Sequence, residues 1–233
     1  MWEIRKFKNI EMMSKFAIDF FLAEFYYFSK DMDFFYIVIP GGKTPEHLFF
    51  SFSKEQNIKW EKVKLFWTDE RFVPESDNYN NFSMARKNLI ENIKIPPENI
   101  FKIDTNFKTA KEAAQNYDLK IKRLFNGNPH FNISFIGMGT DGHIASIFPS
   151  SPALFESKKY AVDVIPPQYA NPQIERITLT IPALSSSDTI ILMISGQKKL
   201  DTFLESTKFS NPNPKYPLSF ISKVKRKLCF VSE

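Results

Sequence analysis

Asp141 and His143 stand two positions apart in Gly137-Met138-Gly139-Thr140-Asp141-Gly142-His143. A carboxylate beside an imidazole is an acid/base unit that can move a proton near neutral pH. The glycines follow Phe131 to Ile136, a β-branched and aromatic run that suits a buried strand. Without a Cβ, the backbone at Gly139 can come close to a ligand, and a glycine turn opening into a helix offers unpaired N–H groups to an anion or a developing oxyanion. Two other readings compete. Gly137, Gly139 and Gly142 spell a dinucleotide fingerprint with Asp163 as its acidic ribose ligand, but Asp141 would face the pyrophosphate and Pro149 to Pro152 would cut the crossover helix short. The plainer reading is an Asp-Gly turn with a satisfied histidine.

Three further clusters could hold a ligand. Asp69-Glu70-Arg71 follows the apolar run Val63 to Thr68, at the strand end where open α/β sheets hold ligands; a simple ion pair is the alternative. Phe34 to Ile39 is a second apolar run, closed by Pro40-Gly41-Gly42-Lys43-Thr44-Pro45. After it, Glu46 to Ser53 reads as a helix capped by Thr44 with Pro45 at its first position. The N–H groups, the Lys43 charge and the Thr44 hydroxyl would suit a phosphate, although an ordinary βα turn has the same letters. Thr189 to Ile194 runs into Ser195-Gly196-Gln197-Lys198-Lys199, where either lysine could neutralise a phosphate. Arg176 opens the alternating segment Glu175 to Thr180, and the amides of the polar turn Asp77-Asn78-Tyr79-Asn80-Asn81 can cap a helix from Phe82 to Asn92.

These residues need a frame to bring them together. Apolar residues recur at helical spacing from Ile10 to Phe28, and Ala110 to Phe125 reads as another helix. Tyr160 to Ile165 reads as a short strand, followed by a proline-rich connection, Pro166 to Pro172, that could serve as a lid. Strands alternating with helices predict one α/β domain over residues 1–233, with a doubly wound, mostly parallel sheet, helices on both faces and all glycine turns on one edge. The chain has 233 residues, 43% of them hydrophobic, which is enough to fill such a core. The net charge of +5 suits a small anionic ligand and does not call for nucleic acid. A lone Cys229 rules out an internal disulfide and fits a reducing, cytoplasmic setting; the histidines lack the spacing of a metal site. No uncharged run reaches the length of a membrane span, and charges follow the basic N-terminus too soon for a secretory signal.

Taken in order and spacing, five motifs closely resemble the 6-phosphogluconolactonases: Gly41 to Pro45, Asp69 to Pro74, Gly137 to Pro149, Arg176 to Thr180, and Ser195-Gly196-x-Lys198. That family shares a superfamily with glucosamine-6-phosphate deaminases and sugar-sensing regulator domains. The resemblance implies a Rossmann-like sheet that binds a sugar phosphate and no nucleotide. It also implies hydrolysis of 6-phospho-D-glucono-1,5-lactone to 6-phosphogluconate, in the oxidative pentose phosphate pathway, without metal or cofactor. By position, His143 would activate a water against the lactone carbonyl, with Asp141 nearby and Asp69 facing the same pocket. Arg71, Arg176 and Lys198 would hold the 6-phosphate with Gly41, Gly42, Lys43 and Thr44, and Asn81 and Gly139 would line the rim. Lys43 departs from the family's usual serine. Phe148 stands where the deaminases carry a glutamate, and an apolar ring cannot relay a proton, which favours hydrolysis over deamination. The implied partner is a phosphorylated sugar lactone, met by a monomer or weak homodimer without nucleic acid or membrane contact. Amino-sugar-phosphate isomerisation with loss of ammonia, and sugar-phosphate sensing without turnover, are the rival functions.

Overall fold

The computed structural model describes every residue except Ser29 and Asp31, and every other side chain except that of Lys43. In chain order the elements are β1 (Trp2–Phe7), α1 (Ile10–Phe28), β2 (Phe35–Ile39), α2 (Lys43–Lys54), β3 (Val63–Trp67), β4 (Asp69–Arg71), α3 (Asn81–Asn88), β5 (Ile100–Phe101) and α4 (Ala110–Leu124). They continue with β6 (Phe131–Ile136), β7 (Ala161–Val164), β8 (Arg176–Leu179), α5 (Ile181–Leu184), β9 (Ser187–Ser195), α6 (Gln197–Ser206) and β10 (Arg226–Ser232). No helix among the described residues is long and apolar enough to cross a membrane.

Seven strands form one sheet in the order β1-β10-β9-β6-β2-β3-β5, with every neighbouring pair parallel. Parallel strands are buried on both faces, and the aromatic residues of β2 show how. Phe35 meets Phe21 and Phe25 of α1, each with ring centroids 5.6 Å away. The next residue, Tyr36, meets Phe125 beside the end of α4 at 4.9 Å. Successive side chains of a strand point to opposite faces, so α1 and α4 lie on opposite sides of the sheet. The same alternation on β1 sends Phe7 to Phe16 of α1 and Trp2 to Phe203 of α6.

From β2 the chain winds outward through β3 and β5, then returns to β6 on the other side of β2 and winds outward again through β9 and β10. Such a reversal opens a crevice at the carboxyl ends of the central strands. A second, antiparallel sheet, β4-β8-β7, stands over that crevice. It is tied to the main sheet at Thr68, whose N–H donates to Ile39 O at 2.9 Å and whose carbonyl accepts from Leu179 N at 2.7 Å.

The α/β class, the mostly parallel sheet and the common edge of the glycine turns agree with the sequence, but four local expectations are corrected. Asp69-Glu70-Arg71 is not the tail of β3; it is a separate strand paired with β8. No helix follows β6 over residues 137–151, because Ala145 and Ser150 hold positive φ angles of 50° and 57° and the loop folds back in bridges Met138↔Ile144 and Ile144↔Ile147. Gly42, at φ 105°, is the N-cap of α2, so Thr44 lies inside the first turn and does not cap it. Finally, α3 stops at Asn88 and only a 3-10 turn, Ile90–Asn92, continues it.

Candidate active site

The ends of β2, β4, β6 and β9 surround a cavity of about 230 Å³. On one wall stands His143. Its Nδ1 lies 2.6 Å from Asp141 Oδ1, so the carboxylate holds the proton on Nδ1 and leaves Nε2 as the basic nitrogen. Burial pushes the Asp141 carboxyl up, but the His143 hydrogen bond and charge, with backbone N–H groups, outweigh it and bring the net value below the usual carboxylate range. Gly139 makes room for the pair. A Cβ there would fall 2.3 Å from His143 Cε1 and Nδ1, and 2.5 Å from Asp141 Oδ1. The Gly139 N–H also donates to His143 O at 2.9 Å, closing the loop on itself.

A second wall of the same cavity is cationic. Arg71 and Arg176 face each other across the β4/β8 register, and the Nε of each is buried without a hydrogen-bond partner. Arg176 is only 4% exposed. Burial lowers its pKa first and Arg71 lowers it further, while Asp69 and Asp141 act the other way. Two neighbouring guanidiniums with unused donors form a site that a dianion would relieve, since charge-assisted hydrogen bonds to phosphate oxygens would fill both vacancies. Phe148 braces both walls: its ring centroid is 4.8 Å from that of His143 and 5.4 Å from the Arg176 guanidinium carbon.

Asp69 reaches the cavity with both oxygens engaged. Oδ1 accepts from Thr68 Oγ1 at 2.8 Å and Oδ2 from Ser146 Oγ at 2.6 Å, so the carboxylate ties the His143 loop to β4. Asn81 donates through Nδ2 to Asp69 O at 2.9 Å and packs against Gly41, where a Cβ would come within 2.0 Å of Asn81 Oδ1. Gly42 and Thr44 line the cavity at the start of α2, whose N-terminus has no side-chain cap and so keeps free N–H groups. The Lys43 side chain lies outside the described residues.

The structure brings Lys199, not Lys198, to the cavity. The two are one helical step apart, which turns Lys198 to solvent while Lys199 lies half-buried with its pKa lowered by burial. The residues alone allowed either lysine and the resemblance put Lys198 at the phosphate, a choice corrected here because neither could phase the helix. Sequence reasoning passed over Ser146 and Thr178, whose hydroxyl accepts from Ser146 N at 3.1 Å, because buried hydroxyls within a motif read as packing. It also missed Tyr169 in the proline-rich loop. Partial desolvation and then the Asp141 charge raise that phenol's pKa, which places it beside the acid/base pair.

The family model described as "Glucosamine-6-phosphate isomerases/6-phosphogluconolactonase" matches residues 8–230. The chain belongs to this family. A 6-phosphogluconolactonase of Mycobacterium bovis is 35% identical over 175 residues, which cover 71% of this chain and 69% of that protein. The chloroplastic 6-phosphogluconolactonase 3 of Arabidopsis thaliana is 32% identical over 186 residues; the match covers 75% of this chain but only 56% of that longer protein. The crystal structure of 6-phosphogluconolactonase from Thermotoga maritima superposes with a TM-score of 0.87 at 25% identity, covering 100% of both chains. The Glucosamine-6-phosphate isomerase/6-phosphogluconolactonase frame therefore accounts for the strand order and for the crevice between β2 and β6.

Proposed function

We propose that the chain hydrolyses 6-phospho-D-glucono-1,5-lactone to 6-phosphogluconate. The observation that carries this reading is one cavity lined both by a carboxylate-oriented imidazole and by two guanidiniums with unpaired Nε donors. His143 Nε2 takes a proton from water as the water oxygen bonds to the lactone carbonyl carbon. The tetrahedral intermediate then expels the ring oxygen, breaking the ring ester bond, and the imidazolium returns its proton to that oxygen. Asp141 keeps the imidazole oriented and offsets its charge. Arg71 and Arg176, with Lys199 and the Gly41 to Thr44 turn, hold the 6-phosphate, so binding far from the reacting carbon fixes its orientation. Asp69 and Asn81 hold the walls in register.

The family description also covers isomerases that act on an amino sugar phosphate. Phe148 counts against that chemistry, since the group packed on His143 is an apolar ring with no proton to give. The reading includes a cytoplasmic setting, supported by the free and buried Cys229, and a monomer or weak homodimer as the working unit.

The test is lactone opening by purified protein, followed by proton release, with the phosphorylated and unphosphorylated lactones compared. Acceleration of the phosphorylated substrate and a much weaker effect on the other are expected. Release of ammonia from glucosamine-6-phosphate, or tight binding of 6-phosphogluconate without any acceleration, would replace this reading by one of its rivals.

A further inference from the structure

We propose that Glu70 is a positioning residue that sets Arg71 and Asn81 against the cavity by gripping backbone on both sides of the loop 72–80. This rests on the reading of Arg71 as a phosphate ligand. Along β4 the side chains alternate, so Asp69 and Arg71 reach the cavity while Glu70 points the other way. Glu70 is 0% exposed and has no cationic partner among the described residues. Its Oε1 accepts from Arg71 N at 2.8 Å and from Asn81 N at 2.7 Å, and its Oε2 accepts from Phe82 N at 2.7 Å.

A buried carboxyl group without a counter-ion must have its oxygens hydrogen-bonded, and here the partners are three backbone N–H groups, two of them at the start of α3. The Asn80 side chain caps α3 by accepting from Ser83 N at 2.8 Å, which leaves the Asn81 and Phe82 N–H groups free for Glu70. A side chain eleven positions upstream thus completes the cap and closes the loop between them. Both ends of that loop carry site residues. Arg71 is steadied further where its NH1 donates to Tyr79 O at 3.0 Å, and Asn81 is pressed onto Gly41. An ordinary helix cap would need none of this; a carboxylate placed on the strand between two cavity residues couples the cap to the site.

The test has two parts. In the native protein, amide hydrogen exchange at Asn81 and Phe82 should be as slow as in the body of α3, although first-turn amides without a partner exchange fast. Fast exchange at both would overturn the proposal whatever the substrate proves to be. In kinetics, Glu70→Gln should raise KM for the phosphorylated lactone roughly tenfold while kcat changes by less than about threefold. The pH profile of kcat should stay unchanged, because His143 and Asp141 stand on a different loop. Glu70→Asp, which keeps the carboxyl group but has a shorter reach, should show the same split in weaker form and serves if the Gln variant fails to fold. In an Arg71→Ala background the Gln substitution should have little further effect on KM. A lower Tm with unchanged KM, or full additivity with Arg71→Ala, would reduce Glu70 to a structural role. A wild-type protein with protected amides but no lactonase activity would sink the functional reading alone.

Discussion

The two walls of the site are held by opposite means. The loop carrying His143 is fixed by taking atoms away: Gly139 leaves space for the imidazole and the carboxylate, and bridges at Met138 and Ile144 close the backbone. The wall carrying Arg71 and Asn81 is fixed by adding a buried carboxyl group, that of Glu70, to backbone that would otherwise be loose. A reacting group has to be placed by shape, since a small displacement separates it from the bond it must attack. A phosphate clamp tolerates more displacement and needs its donors presented together. The walls should therefore fail differently, the first in kcat and the second in KM.

The strongest way to break this contrast is to remove the proposed base. His143→Ala should lower kcat by between about a hundredfold and ten-thousandfold, with a small change in KM, in steady-state lactone hydrolysis. An equal rise in KM would mean that the imidazole binds substrate as much as it reacts. Gly139→Ala comes next and is sharper, because it adds only a methyl group. The atoms it would strike are side-chain atoms of His143 and Asp141, so the imidazole moves while the backbone can stay. A fall in kcat of some tens-fold, up to about a hundredfold, at nearly constant Tm is expected. A large drop in Tm with kcat intact would show that Gly139 serves the turn and not the pair. On the other wall, Arg176→Lys keeps the charge but loses the planar fork, and KM should rise roughly tenfold with kcat nearly constant. A kcat effect larger than the KM effect would place Arg176 among the reacting groups.

Much of this frame was legible in the sequence. Apolar runs ending in glycine gave β2, β6 and β9 and put their turns on one edge, because parallel strands buried on both faces leave an uninterrupted hydrophobic signal. Asp141 and His143 were legible as a pair because the two residues are near neighbours in sequence. What escaped notice depended on distance or on phase. The strand β4 was invisible because Asp-Glu-Arg has no strand propensity, and only its pairing with β8, over a hundred positions on, makes it one. The edge strand β1 was missed for a related reason: four of its six positions are exposed, and charges are what a protected edge carries. Lys199 displaced Lys198 through helical phase, which a two-residue window cannot fix. Glu70 was read with its neighbours as part of a ligand-holding cluster and not as a grip on backbone, since the groups it holds lie on both sides of a loop whose closure the letters do not show.

The finest test of the contrast is the response of the two walls to pH, since each holds a carboxylate perturbed in the opposite sense. Glu70 is raised from 4.5 to about 8, chiefly by burial and slightly by Asp69, against the three N–H groups that lower it. Between those values the folded chain keeps a proton that the unfolded chain has released, so the Glu70 contribution to stability falls as pH rises to about 8 and levels off above it. Wild type should therefore lose Tm relative to Glu70→Gln across that window. Asp141 is lowered, so its contribution is fully present above its unfolded pKa and disappears as pH falls through the folded one. Asp141→Asn should then sit below wild type at neutral pH and converge with it in acid. Partial solvation of the pair holds that gap under about 1 kcal/mol, or about 2–4 °C in Tm for a chain of this length. If the curves of both variants ran parallel to wild type from pH 3 to 9, neither carboxyl group would be perturbed by folding, and the difference between a wall set by shape and a wall set by a buried carboxyl would lose its electrostatic half.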